Sequence, residues 1–108
     1  MSRNTRQRIR FLRTADGVQL AWAEAGTGPV LVKAANWLSH LEYDWESPVW
    51  NHWMRFLAGR FRLVRYDERG CGMTDWKVGD LTFGRWLEDL ESVVEAAGVR
   101  EPFTLLGI

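Results

Sequence analysis

Apolar and polar residues alternate from Ile9 to Thr14 and again from Val18 to Glu24, with Ile9, Phe11, Val18, Leu20 and Trp22 on the apolar beat. A two-residue period is that of a strand with one face buried. Ala15-Asp16-Gly17 between the two segments contains the Asp-Gly pair of a tight turn, so the pattern predicts an antiparallel hairpin. After a second turn at Gly26-Thr27-Gly28-Pro29 the alternation stops, and Val30 to Ala35 reads as a short strand covered on both faces. A polar and aromatic loop follows. Ser47 is then a suitable N-cap with Pro48 at the first helical position, and Trp50, Trp53, Met54 and Leu57 recur at helical spacing up to Gly59. Phe61 to Tyr66 reads as the next strand. Thr82 caps a further helix with Phe83, Trp86, Leu87, Leu90, Val93, Val94 and Ala97 on its apolar face and Gly98 at its end, and Phe103 to Ile108 is expected to be a last buried strand.

Strands alternating with helices imply an α/β architecture, with a parallel sheet and right-handed crossovers after the opening hairpin. Parallel strands need helices on both faces, and only two are predicted. Residues 1–108 are therefore read as a single incomplete domain. Its final strand is expected to be central in the complete sheet, leaving apolar surface and an unpaired edge in water.

Composition narrows the functions. A formal net charge of zero with 46% hydrophobic residues excludes a disordered chain and offers no case for binding nucleic acid or an anionic membrane. Arg3, Arg6, Arg8, Arg10 and Arg13 make the start basic, which reads as a solvated arm. With neither a leader nor a long apolar segment evident in the sequence, a cytoplasmic location is expected. Cys71 is the only cysteine, so neither an internal disulfide nor a cysteine-based metal pair can form, and no metal or cofactor is expected. Trp37, Trp45, Trp50 and Trp53 crowd one short stretch without interleaved basic runs, pointing to core or pocket wall rather than base stacking.

Three segments resemble the N-terminal part of the α/β-hydrolase fold. Asp67-Glu68-Arg69-Gly70-Cys71-Gly72-Met73-Thr74-Asp75 matches the D-x-R-G-x-G-x-[ST]-D loop that follows the fourth strand in that family. Its role is read as structural: Gly70 and Gly72 allow backbone angles closed to other residues, while Asp67, Arg69, Thr74 and Asp75 fasten the loop. One helix and one strand later, Leu105-Leu106-Gly107-Ile108 runs towards the position where the family has G-x-S-x-G. Gly107 and Ile108 would begin that nucleophile turn. No catalytic residue is then expected within the chain, which by itself is expected to be inactive.

The third segment is the loop after the third strand, where the family carries His-Gly ahead of a backbone oxyanion donor. Here the chain reads Lys33-Ala34-Ala35-Asn36-Trp37, and the register leaves Asn36 or Trp37 as the donor, beside a plain packing role for both. The stretch Asn36 to Trp45 also resembles a branch of the family fused to a nucleotide cyclase or a LuxR-type helix-turn-helix module. Neither His40 nor His52 qualifies as a triad histidine by chain order. His40 lies in the loop expected to line a pocket, and His52 on a helix is read as surface or core. No phosphate-binding or dinucleotide glycine motif is present. The resemblance thus implies a serine hydrolase acting on an ester, amide or similar small substrate, with the rest of its own domain as partner. The alternative is a hydrolase-like domain that senses a small molecule in a signalling protein.

Overall fold

In the computed structural model residues 6–36 and 39–107 are described. The alternating segments form an antiparallel pair, β1 (Arg8–Arg13) and β2 (Gln19–Ala25), with Arg13 opposite Gln19. The turn closes through Thr14 N–H to the Val18 carbonyl and Gly17 N–H to the Thr14 carbonyl. Next come β3 (Val30–Lys33), α1 (Leu41–Glu46), α2 (Asn51–Ala58), β4 (Arg62–Tyr66), α3 (Phe83–Ala96) and β5 (Thr104–Leu106). The strands form one mixed sheet in the order β1-β2-β4-β3-β5. Strand β2 pairs antiparallel with β4, whereas β3 runs parallel to both β4 and β5.

Two cores lie on opposite faces. Leu20, Trp22, Val32, Val64 and Tyr66 pack with Val93 and Ala97, from α3 and its C-cap. Ala25, Leu31 and Leu63 pack with Trp45 of α1 and with Met54 and Ala58 of α2. Alternate residues of a strand face opposite ways, which is how one strand serves both cores. Gly26 lets the β2–β3 turn approach α2: its φ is +85°, and a Cβ there would lie 2.0 Å from the Ala58 carbonyl oxygen.

Several expectations change. The periodicity of β2 predicts one buried face, but Ala21 and Ala23 on the other face are also buried, against Leu41. The alternation here is in size rather than polarity, with the small Ala21 and Ala23 lying against Leu41 of α1. The helix expected to start at Ser47 and Pro48 begins instead at Asn51, with Ser47 as the C-cap of the unexpected α1. The Ser47 hydroxyl accepts from Val49 N–H and its carbonyl from Asn51 N–H, so Ser47-Pro48 forms a turn between helices. Helix α1 is N-capped by His40, whose Nδ1 accepts from Tyr43 N–H, and buries Leu41 and Trp45 four residues apart.

The expected buried strand at Phe103 to Ile108 is shorter and open. Among the described residues strand β5 pairs only with β3, Leu105 is 51% exposed, and Ile108 lies outside them. Likewise the apolar face of α3 is only partly covered: Val93 is buried, while Phe83, Trp86 and Leu87 are exposed. The apolar side of that end of the helix borders open space. No helix among them is long and apolar enough to cross a membrane.

Candidate functional site

Loop 67–75 leaves the C-terminal end of β4 and is built around two charged residues that hold different neighbours. Asp67 is fully buried. Its Oδ1 accepts from Ser39 Oγ at 2.7 Å, and its Oδ2 accepts from Leu41 N–H at 3.0 Å and Met73 N–H at 2.8 Å. Gly72 lies against the same carboxylate, where a Cβ would come within 2.3 Å of Oδ2. Thr74 Oγ1 donates to the Asp67 carbonyl and accepts from Ala21 N–H, and Asp75 Oδ2 accepts from Gln19 N–H. These last bonds seam the loop to β2.

Arg69 points its guanidinium at α3 and the hairpin turn. Nε and Nη2 donate to the two oxygens of Asp89, each at 2.7 Å, and Nη1 donates to Asp16 Oδ2 at 2.8 Å and to the Asp80 carbonyl. A planar fork on a carboxylate is the strongest geometry such a pair can take. The hydrogen bond from Arg69, then that from Thr14, hold the Asp16 carboxyl well below its ordinary range, and Asp89 and then Asp16 push Arg69 up. Gly70, at φ 87°, donates its N–H to the Asp75 carbonyl.

The loop after β3 lies at the same end of the sheet. Ala34 N–H donates to the Leu106 carbonyl, continuing the β3–β5 ladder, and Lys33 Nζ donates to Asn36 Oδ1 at 2.6 Å. Trp37, the other candidate donor, lies outside the described residues, as does Ile108. Gly107 directly follows β5, and because Lys33 is registered with Leu106 it emerges beside Ala34. Further along, Arg65 donates to the Leu41 carbonyl and to Gln7 Oε1, with Trp45 stacked 5.6 Å from its guanidinium carbon. Burial pulls Arg65 down to about 10, opposed by Asp44 and Asp67, so it remains a cation at neutral pH.

A half-open hollow of about 580 Å³ lies between these loops and the first turns of α3, lined by Ala34, Ala35, Tyr66, Glu68, Cys71 and Trp86 among others. Burial raises both the Tyr66 hydroxyl and the Glu68 carboxyl above their ordinary values. His40 serves as a helix cap and stacks on Tyr43 at 3.9 Å, and His52 is exposed on α2. Of the tryptophans, Trp22 and Trp45 are core and Trp86 is pocket wall, whereas Trp50 and Trp53 face solvent, against expectation.

Ser39, Asp16, Asp89, Lys33 and Arg65 belong to the site, and sequence reasoning gave none of them a role there. Asp16 was legible only as a turn residue, and Asp89 left one signal, an acid set into the apolar stripe between Trp86 and Val93. The others depend on which segments meet.

No family model matches the chain. It is 31% identical over 107 residues to a probable oxidoreductase, EphD, of Mycobacterium tuberculosis, covering 94% of this chain and 17% of that protein. A hydrolase from Pseudomonas aeruginosa superposes with a TM-score of 0.77 at 30% identity, covering 93% of this chain and 36% of the other. An α/β hydrolase from Sphaerobacter thermophilus superposes with a TM-score of 0.69 at 26% identity, covering 91% and 35%. The chain spans under a fifth of the curated relative and about a third of these hydrolases. Its antiparallel first pair, parallel strands and crossover helices are the opening portion of an α/β-hydrolase fold.

Proposed function

We propose that this chain supplies the oxyanion loop and its supporting frame to a serine-hydrolase active site acting on a small ester or amide, with Asn36 or Trp37 as backbone donor. The reading rests on one observation. The register of β3 with β5 sends the Ala34–Asn36 loop and Gly107 out of neighbouring parallel strands at the same end of the sheet. A donor on one loop and a nucleophile after the other could then face a single carbonyl carbon. In this reading loop 67–75 does no chemistry; Asp67, Arg69, Gly70, Gly72, Thr74 and Asp75 hold the neighbouring loops in place.

Among the described residues no serine is equipped to attack. Ser39 spends its hydroxyl proton on Asp67, and the neighbouring His40 already accepts from a backbone N–H. The expected outcome is that residues 1–108 alone hydrolyse p-nitrophenyl esters no faster than a denatured control, while the full-length protein is labelled by a fluorophosphonate at a serine after Ile108. Labelling of Ser39, or no labelling in the full-length protein, overturns the reading.

The hollow walled by Trp86, Phe83 and Tyr66 favours a second reading, a small-molecule sensor coupled to a cyclase or helix-turn-helix output. It predicts ligand-dependent quenching of tryptophan emission in a full-length protein that no fluorophosphonate labels.

A further inference from the structure

The loop between β3 and α1 lacks the His-Gly pair of the family pattern, yet charged side chains tie it at both ends. At the far end Asp67 accepts from Ser39 Oγ and Leu41 N–H, and Arg65 donates to the Leu41 carbonyl. At the near end Lys33 reaches three residues forward, its Nζ donating to Asn36 Oδ1 at 2.6 Å. Lys33 and Arg65 are registered neighbours on β3 and β4, and alternation puts them on the same face as Leu31 and Leu63. Burial, and then the adjacent Arg65, pull Lys33 below its ordinary value, against Asp44 and Asp67. Two cations side by side on a partly buried face carry a desolvation cost, which a charge-assisted hydrogen bond offsets.

We infer that Lys33 is a positioning residue: by gripping the Asn36 side-chain amide it sets the path of the loop that carries the oxyanion donor, the task left open by the missing His-Gly. The catalytic part of this inference rests on the hydrolase reading above; the gripping does not. Lysine suits the role because its stem can cover apolar sheet surface while its head reaches the loop.

The test uses the full-length protein and Lys33→Met, which keeps the length of the side chain and removes the donor. In the variant the ¹⁵N order parameter of the Asn36 amide should fall from about 0.85 to below about 0.6. Activity should show kcat reduced about 10- to 100-fold with KM changed less than about 2-fold, since a donor that acts in the transition state is misplaced. Lys33→Arg should recover part of the loss. Adding Asn36→Ala to Lys33→Met should cost less than the sum of the two single changes, because both remove the Lys33–Asn36 bond. An Asn36 amide that stays rigid in folded Lys33→Met overturns the inference, whatever happens to kcat. An amide that loosens while kcat is unchanged upholds the grip but overturns the positioning role, whereas a full-length protein with no measurable turnover sinks the hydrolase reading instead. Should Lys33→Met fail to fold, Asn36→Ala serves in its place: it should loosen residues 34–36, and an unchanged loop overturns the inference.

Discussion

Gly72 illustrates how much a single position can carry. Its φ of +54° is costly for a side chain, and a Cβ would press on Asp67, a buried carboxylate that three donors already share. Gly72→Ala should therefore destabilise the fold by roughly 2–4 kcal/mol in a urea melt, combining backbone strain with overpacking. Gly79→Ala is the control, since nothing lies within 4 Å and its φ is unremarkable; it should stay within about 0.5 kcal/mol. Asp16 gives a pH signature. Arg69 first, then Thr14, lower its folded pKa from 3.8, so the folded chain takes up this proton at lower pH than the unfolded one. Its contribution is present above the unfolded value and lost as pH falls below it through the folded value. Thermal melts should show an acid limb below about pH 4 that is shallower in Asp16→Asn.

At the scale of elements, α3 is held to the sheet as much by Asp89 as by its apolar stripe. Val93 and the C-cap residue Ala97 are buried in the core, with Leu90 and Val94 packed partly against it, while the Asp89 carboxylate receives both arms of the buried Arg69 fork. Removing one partner of a buried pair leaves a charge without its counter-ion. Asp89→Ala should cost about 3 kcal/mol, softened because Asp16 still holds Arg69, and should raise hydrogen exchange throughout residues 83–96. Much of this element was legible beforehand: the 3.6-residue period, Thr82 at its start and Gly98 after its end are local signals. The ion pair was not, because Arg69 and Asp89 are 20 residues apart and meet only when the loop folds back. The absence of α1 from the predicted elements has a similar cause: its six residues carry a weak period, and burial of Leu41 and Trp45 against the sheet makes it a helix.

For the molecule as a whole, one side of the sheet is unfinished in a physical sense. Phe103, Leu105, Leu81, Phe83 and Trp86 are exposed, and among the described residues β5 has a strand on one side only. Apolar surface next to an open edge favours association. Residues 1–108 produced alone should scatter light in a concentration-dependent way and melt with poor cooperativity, and both should improve when the chain extends beyond the turn at Gly107. A monodisperse 108-residue protein with a transition matching the longer one would show that this part folds independently.

The sequence by itself determined the elements whose information is local: the hairpin and its Asp-Gly turn, the unalternating β3, the period and caps of α3, and the glycine-rich loop after β4. Short-range sterics and hydrogen bonds dictate all of these, and each can be read within a window of a few residues. Tertiary structure alone decided what depends on pairing between distant segments. It buried β2 on both faces, set Lys33 beside Arg65, closed Asp67 around the start of α1 and brought Asp16, Arg69 and Asp89 together. The reason is that strand order and register, not neighbouring residues, choose which side chains meet, and a pair such as Ala21 and Thr74 is joined only once β2 lies beside β4.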